Sequence, residues 1–233
     1  MSSTQKSLEK IKLLEEAAVQ IVDAIEKKLK GRKVPILIAL DGRSGTGKTT
    51  LAKAIASKLD SVTVILGDDF YAGGTIKEWA KKTAEEKADQ VIDWKRMRKE
   101  VLEPLLAKRI AKWHPFNWDA EQGLSEETIV VKPASVIILD GAYSARPELA
   151  DLIDFSVLVQ ADDNIRRGRL KDREGEPFMK TWHPVYDEAE DYYFSQVRPP
   201  SEFDLVVTVS IKPWISKNRV KLYNGRVSKR IRT

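Results

Sequence analysis

A glycine-rich segment directly after an apolar run is the feature that most restricts how this chain can fold. Residues 35–40 have the composition of a buried parallel strand, and the segment that follows matches the pattern G-x-x-x-x-G-K-[ST] in full. Such glycines let successive backbone N–H groups point inward at the start of a helix, where they bind phosphate. The residues that we expect to contact a nucleotide are Gly42, Arg43, Ser44, Gly45, Thr46, Gly47, Lys48, Thr49 and Thr50.

Two of these residues have a more specific expected role. Lys48 can reach the β- and γ-phosphates with its ammonium group, and Thr49 can offer its hydroxyl to Mg²⁺. An ordinary glycine-rich turn is the alternative, but a preceding apolar strand and a following helix are the context that this motif requires. We therefore expect ATP and Mg²⁺ to bind here.

The order of the remaining segments indicates the fold class. Strands are expected at residues 35–40, 62–66, 135–139, 155–160 and 205–209. Helices are expected at residues 7–30, 49–59, 76–88, 94–110, 146–153, 163–173 and 187–198. Strands that alternate with helices predict a P-loop NTPase fold, an α/β three-layer sandwich with a five-stranded parallel sheet and helices on both faces. Pro104 should kink its helix, or end it and start another.

The two ends of the chain differ in character. The first helix carries a one-sided apolar stripe, so it could cover the domain or pair with a second copy as a homodimer. From Leu205 onward there are eight basic residues and no acidic one, whereas the rest of the chain has a net charge of −3. Asn224-Gly225 between two alternating arms predicts a C-terminal hairpin, with a frayed basic tail as the alternative.

The composition excludes several classes of protein. The chain has no cysteine, which rules out disulfide frameworks and thiolate metal sites. No apolar run is long enough to span a membrane, and the charged first 30 residues are unlike a secretory signal. We expect a cytoplasmic protein. Because the basic charge lies in the tail, we expect no nucleic-acid partner, although a kinase of nucleic-acid 5′-ends is a minor alternative.

Acidic residues follow two of the predicted strands. Asp68 and Asp69 come after residues 62–66, and Asp140 ends the apolar run at residues 135–139. The carboxyl ends of parallel strands meet at one edge of a sheet, so these acids should face the phosphates. Asp140 suits Mg²⁺ together with Thr49 and Asp68, and Asp68 or Asp69 could accept a proton as general base. The alternative role for each acid is a helix cap or a turn.

A cationic stretch follows the fourth predicted strand. Residues 166–173 contain five basic side chains, and of these we expect Arg167, Lys171 and Arg173 to act on a transferring phosphoryl group. Cations placed over the site stabilise the charge on its equatorial oxygens. A solvated helix face is the alternative.

These segments together resemble the uridine kinase and phosphoribulokinase family, over about residues 34–209. Besides the glycine-rich loop, the segments that carry the resemblance are Asp68-Asp-Phe-Tyr71, similar to the family's D-S-F-Y or D-D-F-Y; residues 93–105; Asp140-Gly-Ala-Tyr143, similar to E-G-x-Y; and Arg167-Gly-Arg-Leu-Lys171-Asp172, similar to R-x-x-x-R-D. The resemblance implies transfer of the ATP γ-phosphate to a hydroxyl of a small metabolite, with Asp68 as base. It also implies a kinase domain at 32–210, with an acceptor region near 70–118 and a lid near 163–182, between a helix at 1–31 and a tail at 211–233.

The acceptor region departs from that family. Where uridine kinases carry Y-D-F-x-x-H-x-R, this chain has Phe116-Asn117-Trp118, with Glu121 and Gly123 at the places of His and Arg. The acceptor therefore need not be a nucleoside. The residues that we expect to contact it are Asp69, Tyr71, His114, Phe116, Asn117 and Trp118, with a further wall near Trp182.

An ATP-binding protein without catalysis is the main alternative to a metabolite kinase. A GTPase would need an N-K-x-D element and an ABC-type ATPase a sequence such as L-S-G-G-Q, and the chain has neither. A silent nucleotide sensor would keep the phosphate-binding loop and lack any acceptor.

Overall fold

The computed structural model describes residues 3–209, and the side chains of residues 14–209. Its helices are α1 (Ser3–Leu29), α2 (Lys48–Ala56), α3 (Ile76–Trp79), α4 (Ala84–Gln90), α5 (Trp94–Met97), α6 (Glu103–Leu106), α7 (Asp163–Glu174) and α8 (Glu176–Tyr192). Its strands are β1 (Ile36–Asp41), β2 (Val62–Leu66), β3 (Ala111–Trp113), β4 (Ile129–Val131), β5 (Val136–Asp140), β6 (Phe155–Gln160) and β7 (Leu205–Thr208).

Five parallel strands form the central sheet in the order β2-β5-β1-β6-β7. Every residue of β1 is buried, because helices cover both faces of the sheet. Ile36, Ile38 and Leu40 pack toward α1 and α2, whereas Leu37 packs in the cluster formed by α4, α5, α6 and α8. The predicted P-loop fold with its five-stranded parallel sheet is confirmed, and each predicted strand lies within one residue of its observed limits.

Helix α1 covers the domain of its own chain. Ala18, Ile21 and Ile25 are fully buried in the cluster that α2 and the sheet also form. This is the first of the two roles expected for the amphipathic stripe. Pairing of two copies stays a prediction, and so does the division of the chain at residues 31 and 210.

Two predicted helices are divided differently in the structure. The helix expected at 76–88 is two short helices, and a capping box begins each of them, with Thr75 and Glu78 for α3 and Thr83 and Glu86 for α4. The helix expected at 94–110 ends at Leu106, and a π-helical turn at Arg98–Leu102 precedes Pro104. The wider turn places the proline in the first turn of α6, where its missing N–H costs least.

Two other helical predictions were wrong in extent. The segment 146–153 contains only a 3₁₀ turn at Pro147–Leu149. In contrast, α8 begins at Glu176, eleven residues before the predicted start, and passes through Pro184 to Tyr192 before a π-helical turn at Tyr193–Val197. Packing of its buried side chains outweighs the hydrogen bond that Pro184 removes.

A small antiparallel pair of strands joins β3, inside the acceptor region, to β4, which follows that region in the chain. The predicted C-terminal hairpin lies outside the described residues. Within residues 3–209, none of the helices has the length and apolar character needed to cross a membrane.

Candidate active site

The glycine-rich loop joins the end of β1 to the start of α2, as the motif predicts. Gly42 packs so closely against β6 that an added Cβ atom would lie 2.2 Å from the carbonyl oxygen of Val159. A larger residue here would push the loop away from the sheet. The loop places residues 42–50 at the N-terminus of α2, where helix N–H groups favour an anion.

Lys48 lies over the first half of this loop. Its side chain is largely buried, and its ammonium group donates to the carbonyl oxygens of Gly42 at 2.7 Å and of Arg43 at 3.1 Å. Thr49 and Thr50 follow in the first turn of α2 and are exposed. The structure thus brings the cation and the hydroxyl groups of the motif to one helix end.

The tips of β2 and β5 meet beside this helix end. Leu66 pairs with Asp140, and the following glycines are in contact: a Cβ added to Gly141 would lie 3.2 Å from the Cα atom of Gly67. This close approach brings Asp68 next to Asp140, as expected for acids at the carboxyl edge of a parallel sheet. Asp68 is exposed, whereas only 3% of Asp140 is exposed.

Asp140 is an unusual carboxylate. Both of its oxygens are buried and lack a hydrogen bond of ordinary geometry, although the hydroxyl of Thr49 is near enough to act on the carboxylate. Burial raises the pKa of Asp140 from 3.8 to about 6; Lys48 and Thr49 oppose the shift, and the nearby Asp68 adds to it. Because buried polar atoms are almost always paired, these two oxygens are suited to bind a cation.

The chemistry of these groups fits Mg²⁺. Mg²⁺ prefers oxygen ligands and is usually bound by one or two carboxylates together with substrate phosphates. Asp140, Thr49 and Asp68 offer such oxygens. Among the described residues no group of three or more His, Cys, Asp or Glu could hold a metal alone, so phosphate oxygens would complete the site.

The residues expected to contact the acceptor divide into two groups. Tyr71, Phe116 and Trp118 form one aromatic cluster, in which Tyr71 stacks on Trp118 with ring centroids 5.0 Å apart. Tyr71 and Phe116 are buried, and Trp118 is half-buried. This cluster is contiguous with the hydrophobic core, so its exposed edge, at Trp118, is the part that a ligand could reach.

The other three make contacts within the protein. The carboxylate of Asp69 accepts a hydrogen bond from Trp113 Nε1 at 3.0 Å. His114 Nδ1 lies 2.9 Å from the carbonyl oxygen of Ser125, and Asn117 Oδ1 accepts from the backbone N–H groups of residues 119 and 120. These contacts stabilise the acceptor region, and a direct role toward an acceptor stays a prediction for all six residues.

The predicted lid cations lie on α7 and are paired with acids. Arg167 donates to Asp187 at 2.9 Å, and Lys171 contacts Glu176 at 2.6 Å. Arg173 pairs with its neighbour Glu174 at 2.6 Å. All three are at least half-exposed, so a phosphate could replace these acids at little cost.

A different arginine of α7 reaches the loop. Arg169 Nη1 donates to the carbonyl oxygens of Gly45 at 2.9 Å and Thr46 at 3.1 Å. Sequence reasoning missed this residue. No local signal distinguishes it from the other basic residues of α7, because its contact depends on how α7 docks on the loop.

Three further residues that sequence reasoning missed surround the start of the loop. Asp41, Glu190 and Tyr193 are all buried. Glu190 Oε1 accepts hydrogen bonds from the N–H group of Ser44 at 2.8 Å and from its hydroxyl at 2.6 Å. No local pattern signals these contacts, since Ser44 and Glu190 are 146 residues apart.

Comparison with known proteins agrees with a P-loop fold. A family model described as AAA domain matches residues 38–192. The uridine kinase of Latilactobacillus sakei is 30% identical over 180 residues, which cover 72% of this chain and 78% of that protein. The uridine kinase of Ligilactobacillus salivarius is 31% identical over 171 residues, which cover 71% of this chain and 76% of that protein. A solved structure of a possible uridine kinase from Bacillus stearothermophilus superposes with a TM-score of 0.58 at 22% sequence identity. The superposition covers 81% of this chain and 99% of that chain, which shows a shared fold.

Proposed function

This chain belongs to the uridine kinase family of P-loop proteins and is an ATP-dependent kinase of a small hydroxyl-bearing metabolite; from that premise we propose how its residues act. One observation carries the proposal. The buried oxygens of Asp140 lie among Lys48, Thr49 and Asp68, at the edge of the sheet where the phosphate-binding loop begins its helix.

The loop and Lys48 would hold the phosphates of ATP. In this proposal the ammonium of Lys48 exchanges the carbonyl oxygens of Gly42 and Arg43 for β- and γ-phosphate oxygens. Thr49 and Asp140 would hold Mg²⁺, with Asp68 near it. Bound Mg²⁺ would neutralise part of the charge on the phosphates.

Asp68 would act as the general base. Its carboxylate is exposed at the tip of β2, where an acceptor can approach, whereas Asp140 is buried. It would take the proton of the acceptor hydroxyl as that oxygen attacks the γ-phosphorus and the bond to the β-phosphate oxygen breaks. Arg167, Lys171 and Arg173, whose own side chains are at least half-exposed, would leave their acidic partners to stabilise the charge on the equatorial oxygens.

The acceptor in this proposal is a small alcohol, nucleoside-like or not. The acidic residue that uridine kinases carry is replaced here by Asn117, whose side chain closes its own turn. The half-buried ring of Trp118 remains as a surface for a ring or an apolar group. A cytoplasmic location is part of the proposal, as the sequence predicts.

A screen of ADP release tests this function. Purified protein with ATP and Mg²⁺ is offered nucleosides, sugars, pantothenate-like alcohols and glycerate, and Lys48→Ala serves as the blank. We expect at least one alcohol to raise ADP release well above the blank. If calorimetry detects ATP binding but no alcohol in a broad panel raises ADP release, the protein is a silent nucleotide binder and the proposal is wrong.

A further inference from the structure

Two side chains at the C-terminal end of helix α8 and in the turn after it contact the segment in which the phosphate-binding loop begins. Tyr193, which follows the last residue of α8, donates its hydroxyl to Asp41 Oδ2 at 2.8 Å, just before the loop begins. Glu190, one turn earlier, accepts both hydrogen bonds of Ser44, inside the loop. Residues three apart lie on one face of a helix, so a single face of α8 and of the turn after it holds both ends of the segment 41–44.

Asp41 connects this face to the site of the acids. Besides Tyr193, its fully buried carboxylate accepts from the N–H groups of Gly42 at 2.7 Å, Tyr143 at 2.9 Å and Ala145 at 2.9 Å. Tyr143 and Ala145 belong to the turn that follows Asp140. One carboxylate thus fixes the start of the loop, the turn after β5 and the end of α8 to one another.

The turn after β5 is held in a strained conformation. Tyr143 has a φ of 67°, which is uncommon for a large side chain. Such a conformation persists only where its surroundings impose it. The two hydrogen bonds from residues 143 and 145 to Asp41 are contacts that do so, and the ring of Tyr143 also packs edge-on against Tyr193 at 4.9 Å.

Glu190 is buried in a way that stability does not explain. Only 2% of it is exposed, and Oε2 has no hydrogen bond. Its nearest cationic atom is Arg166 Nη1 at 4.0 Å, which also has no hydrogen bond. A buried ion pair with unsatisfied atoms is often less stable than apolar packing of the same volume. A role at the loop accounts for the presence of Glu190.

We propose that Asp41, Glu190 and Tyr193 are positioning residues, which hold the phosphate-binding loop in the shape that binds a polyphosphate. The inference rests on the proposed function, because it assumes that the loop binds ATP. None of the three touches the phosphates in this account. They fix the backbone of residues 41–44. The rest of the loop, whose N–H groups point inward, follows directly after this segment.

Tyr193→Phe is the sharpest variant, because it removes one hydroxyl and keeps the ring that packs against Tyr143 and Phe194. Tyr192→Phe is the matched control, since the hydroxyl of Tyr192 makes no hydrogen bond to the loop. At Glu190, Gln keeps an oxygen that can accept from Ser44, whereas Leu removes it. The probes are ATP with Mg²⁺ and inorganic tripolyphosphate, which contacts the loop without a base, and calorimetry gives the dissociation constants.

We expect Tyr193→Phe and Glu190→Leu to weaken binding of both probes about tenfold, as the loss of a hydrogen bond to a carboxylate suggests. Glu190→Gln should stay within about threefold of the wild type, and Tyr192→Phe should match it. Unchanged dissociation constants in Tyr193→Phe, even with a lowered melting temperature, would show a merely structural role and overturn the inference. That result stands on its own if Glu190→Leu does not fold. If the wild-type protein itself binds neither probe, the proposed function fails instead.

Discussion

Replacing Asp140 by asparagine should make the ligand-free protein more stable above pH 6. In the folded protein the pKa of Asp140 is raised from 3.8 to about 6, chiefly by burial. Above pH 6 the folded state therefore holds an ionised carboxylate that the unfolded chain holds at lower cost. Each pKa unit corresponds to about 1.4 kcal/mol, so the ionised group costs the fold about 3 kcal/mol. Asparagine has a similar shape and no charge.

The sign of the effect depends on pH. Below about pH 4 the carboxyl is protonated in both states, and the cost is absent; it grows as pH rises and is complete above pH 6. The buried amide of asparagine has its own desolvation cost, about 1–2 kcal/mol, so we expect a net gain of about 1–2 kcal/mol at pH 8. For a chain of this length that is a rise of about 2–8 °C in melting temperature. The difference in unfolding free energy between Asp140→Asn and the wild type should change by more than this, about 3 kcal/mol, between pH 4 and pH 8. The cost of the buried amide is the same at both pH values and does not contribute to that change.

Thermal unfolding without metal, at pH 4, 6 and 8, measures this dependence. Asp60→Asn is the control, since Asp60 is an exposed aspartate. A second series with Mg²⁺ and ATP should stabilise the wild type more than Asp140→Asn, because the variant keeps the phosphate-binding loop but loses a metal ligand. The reasoning is refuted if Asp140→Asn is less stable at pH 8, or if its effect is the same at every pH.

Other predictions concern the base, the lid and the acceptor region. Asp68→Asn should keep the ATP dissociation constant within about threefold and lower the transfer rate at least about 100-fold; equal activity would remove Asp68 from the mechanism. Arg167→Ala should lower kcat about 100-fold or more with little change in ATP binding, whereas an unchanged kcat in steady-state kinetics would make its pairing with Asp187 purely structural. Trp113→Phe keeps an aromatic ring but removes part of the buried indole together with its hydrogen bond to Asp69, so urea unfolding should show a loss of about 2–4 kcal/mol; a loss below about 1 kcal/mol would mean that neither contact stabilises the fold.

The parts of this fold that could be predicted from sequence are those that local chemistry determines. Gly42, Lys48 and Thr49 are recognisable because their spacing alone builds the loop. The strands are recognisable because continuous apolar runs occur where both faces of a sheet are covered. Helix α8 could not be delimited in this way. Pro184 is normally a helix breaker, and the packing that overrides it is a property of the assembled protein.

Contacts between distant segments were also beyond sequence reasoning. Arg169 is one of five basic residues within residues 166–173, and only the docking of α7 on the loop distinguishes it from the others. Glu190 reaches Ser44 because α8 crosses the loop in a particular register. A shift of one residue along a helix turns a side chain by about 100°, which would remove either contact.

The identity of the acceptor depends on this second kind of information. Asp68 marks where a hydroxyl must be deprotonated, but any small alcohol can present one there. Discrimination among alcohols requires polar groups that are left unpaired when the wrong acceptor binds. In the described acceptor region, Asp69, His114 and Asn117 already have partners within the protein, whereas the exposed edge of Trp118 offers mainly surface. A site of this kind selects by shape and stacking. Such contacts differ between related molecules by only about 1–3 kcal/mol in the free energy of transition-state binding. We therefore expect the screen to find several related acceptors of graded activity, and a single acceptor preferred by more than about 1,000-fold would show that other polar groups line the pocket.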